Sequence, residues 1–215
     1  MTTLILVSGI PRAGKSSLCD AVEASGAGFT HVPLDRYVRP VPPSLTFLEW
    51  IATPACIAWE HLRSHIAMLE AGVPCYSPRP NWEQGWREWI SDGGALETAP
   101  GRRMEPAHIG YLVAGTHAFA FAEHDDAPMR VFVETGEEVV AERLTGRRVD
   151  RLRAGVLIRE RLAANIDVIL GQACIADWII DGTADRRTQV HRFLTCYARF
   201  VARHNAAARF VARAE

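Results

Sequence analysis

Eight consecutive residues, Gly9-Ile10-Pro11-Arg12-Ala13-Gly14-Lys15-Ser16, satisfy the pattern G-x-x-x-x-G-K-[ST] without a mismatch. The chemistry of that spacing is phosphate binding. Two glycines let successive backbone N–H groups turn inward around an anion, and a following helix N-terminus adds partial positive charge, with Ser17 beside it. A lysine at the seventh position reaches the β- and γ-phosphates, and the Ser16 hydroxyl is placed to ligate Mg²⁺. Lys15 is the only lysine among 24 basic residues, the other 23 being arginine. A solvated positive charge can be either type, but a compact ammonium fits among loop N–H groups that a guanidinium fork would crowd.

Other side chains could act on a bound phosphate. Asp35 ends an apolar run, and a carboxylate at the carboxyl end of a strand beside such a loop can accept a proton from an attacking hydroxyl or help hold Mg²⁺. Arg143, Arg147 and Arg151 recur every four residues, with Arg148 and Arg153 beside them, so on a helix the first three share one face. Such a group can neutralise a transferring phosphoryl, or be a solvated face paired with Glu142, Asp150 and Glu160. Trp82, Trp86 and Trp89 could line one face of a short helix, either as packing or as a grip on a flat, hydroxyl-bearing molecule with Tyr76, Arg79 and Glu83 as polar contacts. His61 and His65 read as ordinary helix surface.

These residues must be positioned by alternating strands and helices. Strands are expected at 3–8, Phe29–Leu34, Ile109–Val113, Arg130–Val133 and Ala176–Ile180. Helices are expected at Lys15–Ser25, 54–71, Glu137–Arg161 (interrupted near Gly146 and Gly155) and Gln189–Ala208. Residues 73–108, rich in Pro, Gly and Trp, read as an irregular insertion. The alternation predicts a mainly parallel sheet covered on both faces, in a single domain over 1–215. Apolar positions Phe193, Tyr197, Phe200 and Val201 of the last helix fit either the core or a homodimer interface.

Composition narrows the partners. A net charge of −1 argues against binding nucleic acid or a membrane surface by bulk electrostatics. The first apolar run is far too short to span a membrane. Five cysteines without a C-x-x-C pair point to reduced thiols in a cytoplasmic protein, not to a disulfide framework or a zinc site.

Several segments taken in order resemble the uridine kinase and phosphoribulokinase group of P-loop kinases. They are the phosphate loop; Pro33-Leu34-Asp35-Arg36-Tyr37, an aspartate with an aromatic two residues on; Gly72 to Tyr76, like the start of a substrate-binding hairpin; and Met104 to Gly115, like the central strand. Phe132 to Thr135 with Arg143-Leu144 and Arg147-Arg148 resembles the strand and lid, and Ala176 to Ile180 the last strand, whose following loop borders the adenine. The resemblance implies a three-layer P-loop NTPase fold, an Arg-rich lid at about 143–155 and an acceptor-binding insertion at about 73–108. It implies an ATP- and Mg²⁺-dependent kinase that phosphorylates a hydroxyl of a nucleoside-like or sugar-like metabolite. Lys15, Asp35, Arg147 and Arg151 would then be catalytic, and Gly9 to Ser17 with Arg143 would bind the nucleotide. Asp35, Tyr37, Tyr76, Arg79 and Trp82 would meet the acceptor, and Ser16 and Asp35 would hold the metal. Two positions depart from the group. Ala114 stands where an acidic residue precedes the glycine, leaving Glu134 or His117 as substitutes, and Ser77 follows Tyr76 where nucleoside-phosphorylating members have Asp. The alternatives are an antibiotic phosphotransferase resembling chloramphenicol phosphotransferase, and a non-catalytic nucleotide-dependent switch.

Overall fold

Five short apolar runs, each too short for a helix and rich in Val, Ile, Leu and Phe, form the central sheet. They are β1 (Thr3–Ser8), β2 (Phe29–Pro33), β5 (Gly110–Ala114), β6 (Met129–Glu134) and β7 (Trp178–Asp181). The computed structural model describes residues 2–78, 100–124, 128–145 and 169–211. The strand order is β2-β5-β1-β6-β7, and every pairing is parallel. The central strand β1 has its last four residues fully buried, as expected of a strand covered on both faces. The described helices are α1 (Lys15–Ala24), α2 (Phe47–Ile51), α3 (Trp59–Glu70), α4 (Glu137–Thr145) and α5 (Arg186–Val211).

Four sequence expectations shift. The insertion is not wholly irregular, because Cys75–Pro78 (β3) and Pro100–Met104 (β4) pair antiparallel as a separate two-stranded sheet. The helix expected at 54–71 divides: Pro54–Cys56 make a 3-10 turn, Ile57 bridges to Val38, and the α-helix starts only at Trp59. The last helix begins earlier, because the Asp185 carboxylate accepts from both the Thr188 N–H (3.0 Å) and its hydroxyl (2.6 Å), capping the first turn. His61 and His65 are not ordinary helix surface: both are half-buried, and the Nδ1 of His65 lies 2.9 Å from the hydroxyl of the buried Tyr37. Helix α4 is described only to Thr145, so the rest of the expected Glu137–Arg161 helix lies outside the described residues.

The apolar face of α5 turns inward. Phe193 and Phe200 are buried, Phe29 meets Phe193 and Tyr197 edge-on with centroids 5.6 and 5.0 Å apart, and Trp178 meets Phe200 at 6.0 Å. Val201 packs on the same core, so these four positions bury within the chain itself. All five cysteines are free. Among the described residues no helix is long and apolar enough to cross a membrane.

Candidate active site

The carboxyl ends of the parallel strands carry the chemistry-bearing residues, where open α/β sheets place ligands. The loop from Gly9 to Gly14 leaves β1 with backbone that most residues avoid: Gly9, Arg12 and Gly14 have φ of 147°, 69° and 105°. Two of these positions are glycine, which has no Cβ to clash; Arg12 adopts the left-handed region despite its side chain. Gly14 is the N-cap of α1, and Leu18 N–H donates to its carbonyl at 2.9 Å, so the helix starts directly under the loop. The Lys15 ammonium lies against the loop itself, donating to the carbonyls of Gly9 and Ile10 at 2.9 Å each and only 8% exposed. Ser16 and Ser17 are exposed in the first turn.

On one flank of β1, β5 and then β2 carry Asp35. Two inter-strand steps of about 4.8 Å put the end of β2 roughly 10 Å from the end of β1. Asp35 stands exposed in the 3-10 turn Leu34–Tyr37, with no hydrogen bond or ion pair to any described residue. A Cβ on Gly115 would lie 2.6 Å from the Cβ of Leu34, so a glycine after β5 is what lets this turn close down on the sheet. Ala114 is buried between Val7 of β1 and Pro33 of β2 and contributes only a methyl group. Of its two candidate substitutes, His117 is buried with Nε2 2.8 Å from the Ile51 carbonyl, whereas Glu134 is exposed at the end of β6.

The other flank holds a cavity of about 390 Å³ lined by Ile10, Glu134, Thr135, Leu170, Asp181 and Thr183, among others. Glu134 and Asp181 are register partners on β6 and β7. The Thr183 hydroxyl and N–H both donate to Asp181, holding its carboxyl below the usual range. Arg143, from the last turn of α4, points back to the phosphate loop, donating to the carbonyls of Arg12 and Ala13.

The acceptor residues expected from the sequence divide. Tyr37 is 0% exposed; it packs edge-on against His65, and burial pushes its phenol far up. It is therefore a core residue here, and its neighbour Asp35 is the exposed member of the pair. Tyr76 is 51% exposed on β3, opposite Arg103 of β4. Arg79, Trp82, Glu83, Trp86 and Trp89 lie outside the described residues, as do Arg147, Arg148, Arg151 and Arg153.

Sequence reasoning missed what anchors the β3–β4 hairpin. Arg102 of β4 pairs with Asp20 of α1 at 2.7 Å and with Glu23, and the buried His31 of β2 lies 2.8 Å from the same Asp20 oxygen. The His31 bond and then Arg102 hold the Asp20 carboxyl down to about 2. Asp20 and Glu23 lie three apart on one face of α1, the only local signal for the anchor.

No family model and no curated protein sequence matches this chain. Solved structures do match it. The crystal structure of a protein described as a fructose transport system kinase from Silicibacter sp. TM1040 covers 83% of this chain, and 89% of its own, with TM-score 0.51 and 17% identity. A gluconokinase from Sinorhizobium meliloti 1021 covers 96% and 97% with TM-score 0.49 and 18% identity. A protein described as a uridine kinase from Bacillus stearothermophilus covers 84% and 89% with TM-score 0.47 and 13% identity. At these identities the likeness is one of fold: this chain has the P-loop α/β fold, as its motif, strand order and parallel sheet also require.

Proposed function

We propose that the chain is an ATP-dependent small-molecule kinase, transferring the γ-phosphoryl to a hydroxyl of a nucleoside-like or sugar-like metabolite. One observation carries the reading. A phosphate loop with its lysine in place sits on the central strand, and an exposed, unpaired carboxylate, Asp35, stands two strands away at the same end of the sheet. A switch shares the first feature and can use the second for its metal, but only transfer to an acceptor uses that carboxylate as a base. The protein of similar fold described as a fructose transport system kinase accords with a small hydroxylated acceptor.

In this mechanism the backbone of Gly9 to Ser17 binds the triphosphate, with Arg143 on the same side. The ammonium of Lys15, now on the Gly9 and Ile10 carbonyls, turns to the β- and γ-phosphates. A hydroxyl and a carboxylate oxygen suit Mg²⁺, a hard cation that keeps several waters and takes few protein ligands. Ser16 and Asp35 are the exposed oxygen donors that would hold it, and when bound it supplies neutralisation of phosphate charge. Asp35 orients the acceptor hydroxyl and takes its proton as the oxygen attacks the γ-phosphorus in line, the bond to the β,γ-bridging oxygen breaks and ADP leaves. Arg147 and Arg151 neutralise the transferring group from a lid that excludes water. Tyr76, with Arg79 and Trp82 of the insertion, contacts the acceptor from the hairpin side. The chain acts as a single kinase domain in the cytoplasm.

The test is Asp35→Asn, assayed with radiolabelled ATP against a panel of sugars, sugar acids, nucleosides and aminoglycoside or chloramphenicol-type antibiotics. Transfer by the variant should fall by about a hundredfold or more, while ATP affinity stays within about twofold. Undiminished transfer would remove Asp35 from the mechanism, and labelling of antibiotics alone would move the acceptor class.

A further inference from the structure

A loop that turns its N–H groups inward around phosphate must throw its carbonyls outward, because N–H and C=O point opposite ways across each planar peptide. Those outward carbonyls need donors from elsewhere in the fold. Here the donors are Arg143 and Thr135. Nη1 of Arg143 donates to the carbonyls of Arg12 and Ala13, both at 3.1 Å, and the Thr135 hydroxyl reaches the Ala13 carbonyl at 2.9 Å. With both protons of Nη1 engaged, Nη2 donates to the Gly182 carbonyl at 2.8 Å. Gly182 in turn donates its own N–H to the Glu134 carbonyl at 2.7 Å.

Four segments distant in sequence therefore meet behind the loop: residues 12–14, Glu134–Thr135, Arg143 and Gly182. Gly182 belongs there because a Cβ would collide with the Thr135 hydroxyl and the Ala13 carbonyl. Fixing the Ala13 carbonyl also fixes the direction of the Gly14 N–H across the same peptide. Arg12, whose carbonyl is held too, is the non-glycine residue in the left-handed region, a conformation that costs free energy unless its surroundings impose it.

We propose that Arg143 is a positioning residue for nucleotide binding: with Thr135 and Gly182 it holds the phosphate loop open from behind by its carbonyls, and does not itself meet phosphate. This rests on the nucleotide-binding reading above and changes the part Arg143 plays in it. A planar fork can bridge two segments at once, and an ammonium of equal charge cannot hold the same three carbonyls from one point.

The experiment measures binding of Mg-ATP and of tripolyphosphate by calorimetry, with thermal unfolding of each variant alongside. Arg143→Lys should weaken both ligands roughly tenfold or more, nearly as far as Arg143→Ala, since each loses charge-assisted bonds to the loop. Gly182→Ala, which removes no charge, should do the same. Wild-type affinity in Arg143→Lys, or in a folded Gly182→Ala, overturns the proposal. Should Gly182→Ala fail to fold, Thr135→Val combined with Arg143→Ala decides: shared action on the Ala13 carbonyl predicts losses that do not add, and additive losses overturn it. Failure of the wild-type chain to bind either ligand would instead overturn the nucleotide reading beneath it.

Discussion

The two flanks of β1 are held by different kinds of force. On the β6–β7 side, neutral and charge-assisted hydrogen bonds to backbone carbonyls fix the phosphate loop, with Thr135, Arg143 and Gly182 meeting at Ala13. On the β5–β2 side, burial and ion pairs do the holding. Tyr37 and Leu34 pin the turn that carries Asp35 into the core, and Arg102 ties the hairpin to α1 through Asp20 and Glu23. Directional bonds to carbonyls specify backbone geometry closely. Ion pairs on a partly exposed hairpin fix its position but leave the shape of its outer face to other residues.

Lys15→Ala should have the largest effect, because it removes the ammonium that lies on the Gly9 and Ile10 carbonyls. Transfer should fall about a hundred- to a thousandfold, with ATP affinity falling alongside, measured by steady-state kinetics and calorimetry. Loss of transfer with unchanged affinity would confine Lys15 to the transition state.

Arg102→Ala probes the other flank. Unfolding stability should drop by about 1 kcal/mol, the scale of a partly exposed ion pair, and ATP affinity should stay within about twofold. A large loss of ATP affinity would show that the two flanks are coupled through α1.

The acid limb sharpens the same contrast. Asp20 is held down to about 2 when folded, against about 3.9 in an unfolded chain. The unfolded chain therefore binds this proton more readily, and the stabilisation is complete above pH ~4 and lost as pH falls towards ~2. Urea titrations from pH 5 down to 2.5 should show this loss in the wild type and a shallower one in Arg102→Ala. The flattening is partial, since the bond to His31 is the larger cause. Equal slopes would remove the ion pair from the account.

The smallest effect is on thiol reactivity. Burial and the neighbouring Asp20 push the Cys19 thiol up, and Cys19, Cys56 and Cys75 are all buried, whereas Cys174 is exposed. Alkylation followed by peptide mapping should label Cys174 first and Cys19 only on unfolding. Early labelling of Cys19 would mean that α1 opens readily on its hairpin side.

Legibility follows the same division. The phosphate loop, β1 and α1 could be read directly, because strand, turn and helix start are set within about a dozen neighbouring residues. The hairpin could be read only at its start, where Gly72 to Tyr76 carry a resemblance, and not at its second strand. Its strands lie more than twenty residues apart, and Pro100-Gly101-Arg102-Arg103-Met104 has no apolar alternation to announce a strand. Tyr37 was misplaced because an aromatic two residues after an exposed aspartate looks alike in sequence whether it faces a ligand or a core. The departure at Ala114 was visible, but not that His117 is turned inward to α2 while Glu134 stays exposed.

The amino-acid sequence alone carries the complete eight-residue motif of a phosphate grip, since backbone angles and a helix start are local properties. Only the tertiary structure decided what holds that grip in shape. Arg143 meets the carbonyls of Arg12 and Ala13 across some 130 positions of chain, and finds them only once β1, β6 and β7 lie side by side. A guanidinium's partners are whatever carbonyls the fold leaves without donors, and no spacing along the chain records which those are.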